Sequence, residues 1–281
     1  AEGYNTAVGY DSGRLMTTAT HNTLIGALAG DSLTTGASNV AVGYGALTTD
    51  DVGQHNVAIG RDALSAQNIA SAANTYNTAV GSSAGAAVTT GTSNTLIGGL
   101  AGNANTTGGN NTFVGKSAGV ANTTASSNTF VGERAGTANT TGDESVAVGQ
   151  FAYSANTTGV DNVAIGRSAL AANTTAHNNV AIGRSALLAN TTGTQNVAVG
   201  ATALDANTTG SYNNAVGKGT LGSNTTGANN TGLGDGALNA NTTADYNTAV
   251  GYNSLVLNTT GASNTAVGGL ALDANTTADG N

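Results

Sequence analysis

The chain has 281 residues, a net charge of −8 and only 8% charged residues, and it contains no cysteine, proline or tryptophan. The lack of cysteine excludes disulfides, thiol catalysis and thiolate metal sites, and the acidic balance argues against binding of nucleic acid. No stretch approaches the roughly 18 consecutive apolar residues of a membrane-spanning helix, so membrane insertion is not expected.

A five-residue motif, Asn-(Thr/Val)-Ala-(Val/Ile)-Gly or a close variant, recurs along the whole chain. The repeats that it opens begin at residues 5, 22, 39, 56, 77, 94, 111, 128, 145, 162, 179, 196, 213, 230, 247 and 264. The spacing is 17 residues, except for one step of 21 that places a four-residue insertion within residues 65–76. The pattern predicts a single repeat domain over residues 1–281.

Seventeen residues are too few for a helical hairpin and fit one coil of a β-solenoid, in which short strands are joined by tight turns. We therefore predict an all-β fold, a parallel β-solenoid of about 16 rungs with a length near 16 × ~4.8 Å, or ~77 Å. The absence of proline agrees, because a continuous ladder needs a backbone N–H at nearly every residue. The insertion is expected to bulge from a turn, where extra length costs little.

Positions 2 to 4 of the repeat, counted from its first Asn, predict the first strand. Position 4 is Val, Ile or Leu in every repeat and position 2 is mostly Thr or Val. These two positions share one face of a strand, and position 3 takes the other. Position 5 is always glycine, which marks a backbone site of positive φ or close approach.

Positions 3 and 9 never carry large residues together. Leu24, Leu96, Phe113 and Phe130 occupy position 3 of repeats that have glycine at position 9, whereas repeats with Leu or Tyr at position 9 have Ala or Gly at position 3. This exchange predicts that the two positions touch inside the coil. Position 4 then faces outward, and its aliphatic column is expected to be covered by another copy of the chain. The alternative is that the faces are reversed and position 4 fills the core.

Two positions of the repeat, 1 and 12, favour ladders of stacked asparagine side chains. Positions 12 to 14 read Asn-Thr-Thr in eleven successive repeats, and Asn opens all repeats except the one that begins at Ser145. Rungs about 4.8 Å apart allow identical amides to hydrogen-bond along the column. Asn-Thr-Thr is also an N-glycosylation sequon, but eleven glycans at this spacing would collide.

The sequence contains no recognisable catalytic or metal-ligating cluster. His21, His55 and His177 fall in predicted turns without a recurring carboxylate partner, and neither a calcium β-roll motif nor a phosphate loop is present. We therefore predict a protein that is not an enzyme and has no catalytic residues, no metal site and no cofactor.

Positions 6 and 17 carry most of the tyrosines and basic residues. One interpretation is a solvated edge with ordinary variation, and the other is a strip that contacts a receptor or glycan, since exposed Tyr and Arg are common contact residues. The candidate surface contacts are Tyr10, Tyr44, Tyr212, Tyr246, Tyr252, Arg61, Arg167 and Arg184.

The pentapeptides NVAIG, NTAVG and SVAVG resemble the head repeats of trimeric autotransporter adhesins. The longer phrase NTAVGYNSLVLNTTGASNTAVG, residues 247–268, resembles repeat arrays of bacteriophage tail fibres and bacterial surface proteins that precede an endosialidase-type chaperone. The resemblance implies a left-handed solenoid, a homotrimer and an extracellular location on a virion or bacterial cell surface. The repeat here is longer than the typical adhesin-head repeat.

The expected function is that of a structural and adhesive fibre segment, such as a phage tail-fibre shaft or a cell-surface adhesin that presents a rigid rod for attachment. The alternative is a subunit of a self-assembling extracellular filament. Expected partners are other copies in the homotrimer and a cell-surface glycan or receptor. Flanking fibre domains or end-to-end copies are also expected, because no capping repeat is visible in the array.

Overall fold

The computed structural model describes residues 3–281, which form sixteen three-residue strands and, within that range, no helix. The chain divides into two compact units, Ala1–Asp143 and Glu144–Asn281. The strands of the first compact unit are β1 Thr6–Val8, β2 Thr23–Ile25, β3 Val40–Val42, β4 Val57–Ile59, β5 Thr78–Val80, β6 Thr95–Ile97, β7 Thr112–Val114 and β8 Thr129–Val131. The strands of the second are β9 Val146–Val148, β10 Val163–Ile165, β11 Val180–Ile182, β12 Val197–Val199, β13 Asn214–Val216, β14 Thr231–Leu233, β15 Thr248–Val250 and β16 Thr265–Val267.

Each strand pairs in parallel with the next strand of its compact unit, from β1 to β8 in the first and from β9 to β16 in the second. Equivalent positions lie opposite each other, as Val163 does with Val180. Hydrogen bonds along the stack continue through the turns, where the N–H of Leu170 donates to the carbonyl of Ala186 at 2.9 Å. The predicted parallel β-solenoid is confirmed, with one repeat in each coil.

The insertion lies in a turn of the first compact unit. Residues 70–74 are exposed, while β4 and β5 stay in register on either side, with Val57 opposite Thr78. An isolated parallel bridge joins Gln54 to Asn74, and the N–H of Thr75 donates to the carbonyl of Gln54 at 3.0 Å. The extra residues form a surface bulge beside paired strands.

In β2 to β16 the middle residue is buried and the two that flank it are partly or fully exposed. Position 3 is buried throughout β2 to β16, and Leu24, Phe113 and Ala164 are each fully buried. Position 4 points outward, where Ile25 is 41% exposed and Ile165 is 38% exposed. The prediction that position 3 faces the interior is confirmed, and the reversed arrangement of the faces is wrong.

Positions 3 and 9 compete for one volume inside the coil. A Cβ added to Gly102 would lie 2.7 Å from Cδ2 of Leu96, and one added to Gly119 would lie 2.6 Å from Cδ2 of Phe113. Neither site has room for a side chain at position 9. Phe113 also stacks on Phe130 of the next rung, with ring centroids 5.0 Å apart. The predicted contact between positions 3 and 9 is confirmed.

The turns hold residues in the left-handed region at positions 7, 9 and 17 of the repeat. Ser168, Leu170 and Asn178 have φ values of 57°, 51° and 60°. Leucine in this region costs about 1–2 kcal/mol. Full burial of a leucine side chain contributes about 1.5–3 kcal/mol, which offsets that strain at position 9. The leucine that fills the core is therefore also the residue that adopts the unfavourable turn conformation.

The invariant glycine at position 5 is required for two reasons, its backbone conformation and the close approach of the next rung. Gly166 has a φ of 128°, a conformation that side chains of L-residues rarely adopt. A Cβ at Gly166 would also lie 2.6 Å from the carbonyl oxygen of Gly183 in the next rung. Any larger residue would separate the rungs, so the column accepts glycine alone.

The exchange between positions 3 and 9 is testable in the rung that contains Ala164 and Leu170. Leu170→Gly should lower the free energy of unfolding by about 2–4 kcal/mol through the cavity it leaves, reduced by about 1 kcal/mol of relieved backbone strain. Adding Ala164→Leu should recover part of the loss by filling that cavity. Ala164→Leu alone should destabilise the protein by about 1–3 kcal/mol through overpacking. Denaturant unfolding of the four proteins measures the coupling, and strict additivity would show that the two positions do not share space.

Candidate functional surfaces

The outward side chains of the strands form a continuous apolar surface on each compact unit. We call the columns at positions 2 and 4 the strand face. Its position 2 side chains are Thr, Val and one Asn, its position 4 side chains are Val, Ile and Leu, and neither column carries a charge. Val216 is 37% and Leu233 is 48% exposed. Eight strands extend the strand face of a compact unit over 7 × ~4.8 Å, or ~34 Å.

Two buried asparagine columns run behind the strands. At position 1, Oδ1 of Asn179 accepts from the backbone N–H of Asn196 at 3.0 Å, and Nδ2 of Asn179 donates to the carbonyl of Gly193 at 2.9 Å. At position 12, Nδ2 of Asn190 donates to Oδ1 of Asn173 at 3.2 Å and to the same Gly193 carbonyl at 2.9 Å. One backbone carbonyl thus accepts hydrogen bonds from both columns. The predicted asparagine ladders are confirmed.

Because the asparagine ladder is buried, the Asn-Thr-Thr segments expose only part of their residues to solvent. Asn173 and Asn190 are fully buried, so the folded chain does not expose the amide that a glycan would modify. The hydroxyl of the first threonine is also engaged, since Oγ1 of Thr174 donates to the carbonyl of Thr191 at 3.2 Å. The second threonine, such as Thr175, is exposed. The ladder interpretation therefore accounts for the sequons.

Tyr153 explains the one repeat that begins with serine. Tyr153 is fully buried at position 9, and its hydroxyl donates to the carbonyl of Gly159 at 2.9 Å. In neighbouring repeats the equivalent carbonyl accepts from the asparagine at position 1, where this repeat has Ser145. Nδ2 of Asn162 donates to the Tyr153 oxygen at 2.6 Å. Burial raises the pKa of Tyr153 to about 12, which further favours the protonated hydroxyl that acts as the donor.

A buried carboxyl occupies position 12 in the first compact unit, next to the insertion. Asp50 is fully buried; its Oδ1 accepts from the N–H of Gly53 at 3.0 Å and its Oδ2 from Nε2 of Gln67 at 2.8 Å. Gln67 also contacts Thr75, whose hydroxyl donates to Oδ1 of Asn56 at 2.7 Å. Desolvation raises the pKa of the Asp50 carboxyl, and the hydrogen bonds from Gly53 and Gln67 oppose that rise.

The predicted surface contacts lie in two columns, one at each end of the strand. Position 6 follows the strand and position 17 precedes it, so the structure does not gather these residues into one cluster. Position 6 carries Tyr10, Tyr44, Arg61, Arg167, Arg184 and Tyr252, and position 17 carries Tyr212 and Tyr246. All eight side chains are exposed. Arg61 also forms an ion pair with Asp62, with Nε 3.6 Å from Oδ2.

The histidines lie at the surface, among the turns. His21 stacks on Tyr4 with ring centroids 5.3 Å apart, and His55 contacts Tyr76 at the same separation. Within residues 3–281 no three potential metal-ligating side chains lie together. The same range contains no helix with the length and hydropathy needed to span a bilayer.

The pairing of Tyr153 with Ser145 predicts a specific mutational pattern. Tyr153→Phe should cost about 0.5–1.5 kcal/mol of unfolding free energy, because the Gly159 carbonyl loses the hydroxyl donor and keeps only the amide of Asn156. The double change Ser145→Asn with Tyr153→Leu recreates the common repeat and should be more stable than Tyr153→Leu alone. Thermal or denaturant unfolding measures both effects. A Tyr153→Phe protein as stable as the wild type would contradict the proposed exchange of donors.

Asp50 predicts a pH dependence of stability with a defined sign. The pKa of Asp50 in the folded state is raised above the usual 3.8, so folding favours the protonated carboxyl. The contribution of this carboxyl to the free energy of unfolding is therefore fully present below pH 3.8 and is lost as the pH rises through the folded pKa. Asp50→Asn should therefore be more stable than the wild type at pH 7, and the difference should shrink on acidification to about pH 4. Asp161→Asn, at an exposed turn, controls for net charge. A stability difference that does not change between the two pH values would refute the prediction.

The chain matches no protein-family model and no curated protein. The resemblance of the pentapeptide repeats to adhesin heads and tail-fibre arrays therefore stays a prediction.

Proposed function

We propose that the chain is a non-enzymatic structural and adhesive fibre segment that works as a homotrimer on an extracellular surface of a virion or bacterial cell. The observation that carries the proposal is the strand face. In each compact unit this face is uncharged and carries half-exposed Val, Ile and Leu side chains in register. Apolar columns of this length are rarely left in water by monomers, and they mark interaction sites.

A second copy of the chain is the partner that fits the strand face best. Interdigitation requires a surface with the same spacing of about 4.8 Å between apolar side chains, and another strand face has that spacing. The lack of charge on positions 2 and 4 means that two such faces meet without burying an unpaired ion. The number of three subunits and the left-handed coil follow from the resemblance to adhesin heads.

The internal bonding suits a load-bearing role. Within each compact unit the backbone is hydrogen-bonded along the stack in the strands and in the turns, and two asparagine columns reinforce it from inside. Hydrogen bonds of buried amides in stacked rungs stabilise cross-β structures strongly. The exposed tyrosines and arginines in the turn columns are then available for contact with a receptor or glycan.

The native mass tests the assembly. The wild-type chain should have a mass in solution of three times 27.0 kDa. Ile165→Lys with Ile182→Lys places two charges in the proposed interface and should release monomers, because an unpaired buried charge costs several kcal/mol. Thr175→Lys, on an exposed turn, is the matched control and should leave the mass unchanged.

Two outcomes of this experiment would count against the proposal. A stable, soluble wild-type monomer of 27.0 kDa would refute the homotrimer. Filaments of unlimited length in electron micrographs would favour a self-assembling polymer over a fibre segment of fixed length. Circular dichroism of the lysine variants should match that of the wild type, because both isoleucines point away from the core.

A further inference from the structure

A groove opens in the turn surface of the second compact unit where two successive repeats have glycine at position 7. Gly219 and Gly236 are the only such adjacent pair in the sequence, and Gly222 removes a further side chain at position 10. Apart from Gly45, which stands alone, the other repeats have Ser, Asp, Leu, Thr, Arg, Phe or Asn at position 7. The groove that results is lined by Lys218, Asp235 and Tyr252 from position 6 and by Asn239 from position 10.

The polar groups of this groove are held in place by the backbone. Oδ1 of Asp235 accepts from the N–H of Lys218 at 2.8 Å, and Nδ2 of Asn239 donates to the carbonyl of Gly219 at 2.8 Å. Tyr252 presents an aromatic ring that is 62% exposed. Fixed polar groups beside an apolar surface reduce the ordering cost of binding, which is typical of built ligand sites.

The floor of the groove favours recognition by side chains. The N–H of Gly219 donates to the carbonyl of Ala201, and the N–H of Gly236 donates to the carbonyl of Lys218, both at 3.0 Å. These amides are already paired along the stack, so an extended peptide has no open strand edge to join at this point. A ligand must instead be recognised by an aromatic ring, a carboxylate, an amide and an ammonium group.

We infer that this groove binds a neutral carbohydrate of about two sugar rings. The ring of Tyr252 offers an apolar surface to the C–H face of a sugar. The carboxylate of Asp235 and the amide oxygen of Asn239 accept hydroxyl protons, and the ammonium group of Lys218 donates to a ring or hydroxyl oxygen. One positive and one negative charge favour a neutral ligand, and the three rungs span about 10 Å. The inference rests on the proposed adhesive function and gives it a class of ligand.

The chain supplies matched controls for a binding test. Lys116 occupies position 6, as Lys218 does, but the adjoining rungs have Leu100 and Arg134 at position 7, where the groove has glycine. Gly219→Ser should fill the groove without disturbing the turn. Gly219 has a φ of 62°, Ser185 adopts 59° at the same position, and a Cβ on Gly219 would meet its nearest neighbour atom at 3.5 Å.

Saturation-transfer NMR of the full chain with lactose, maltose and N,N′-diacetylchitobiose at millimolar concentration tests the inference. At least one disaccharide should receive saturation from the wild type and from Lys116→Ala. Tyr252→Ala and Gly219→Ser should each weaken its binding by about tenfold or more, the loss expected for a central aromatic contact or a blocked site.

Two results would overturn the inference. One is the absence of transfer from the wild type to all three disaccharides, and the other is equal binding by the wild type and both groove variants. Binding of unstructured peptides with the same dependence on Tyr252 would also refute a carbohydrate ligand. The native mass separates this outcome from the fibre proposal, because a homotrimer that binds no sugar refutes the groove alone. A monomer that binds sugar refutes the assembly alone.

Discussion

In-register hydrogen bonding between each rung and the next is the constraint on which the rest of the structure depends. It places equivalent residues above one another, so a buried polar group needs a hydrogen-bonding partner in its own rung or in a neighbouring one. Asparagine meets this condition at positions 1 and 12, since the Oδ1 of Asn179 accepts from Asn196 while its Nδ2 reaches the Gly193 carbonyl. The same constraint brings rung backbones so close at position 5 that only glycine fits.

Where a repeat departs from the common sequence, two residues change together and the second change compensates for the first. Phe113 at position 3 goes with Gly119 at position 9, and Tyr153 at position 9 goes with Ser145 at position 1. The first set conserves volume and the second conserves a hydrogen-bond donor. Asp50 follows the same logic, because Gln67 in the next rung supplies the donor that a carboxylate needs.

The sequence predicts the parallel solenoid, the inward face of position 3 and the asparagine ladders, because each depends on periodicity and on strand alternation alone. It does not show that Leu170 lies in the left-handed region, since leucine normally avoids that conformation and only the buried site makes it acceptable. The link between Ser145 and Tyr153 was visible only as two exceptions within one repeat. The sequence does not predict the groove beside Tyr252, because the groove depends on which side chains are absent from adjacent rungs. The number of subunits depends on a partner that one chain does not contain.

The in-register stack also bears on how such a protein changes its length during evolution. Each repeat offers the same contacts to the one before it and the one after it, so duplication or loss of 17 residues replaces every bond with an equivalent one. Segments 162–178 and 179–195, which share 13 of 17 residues, are the kind of sequence between which unequal recombination occurs. Length can then vary in increments of about 4.8 Å without a new packing solution. An insertion of any other size must leave the stack, as the four extra residues within 65–76 do.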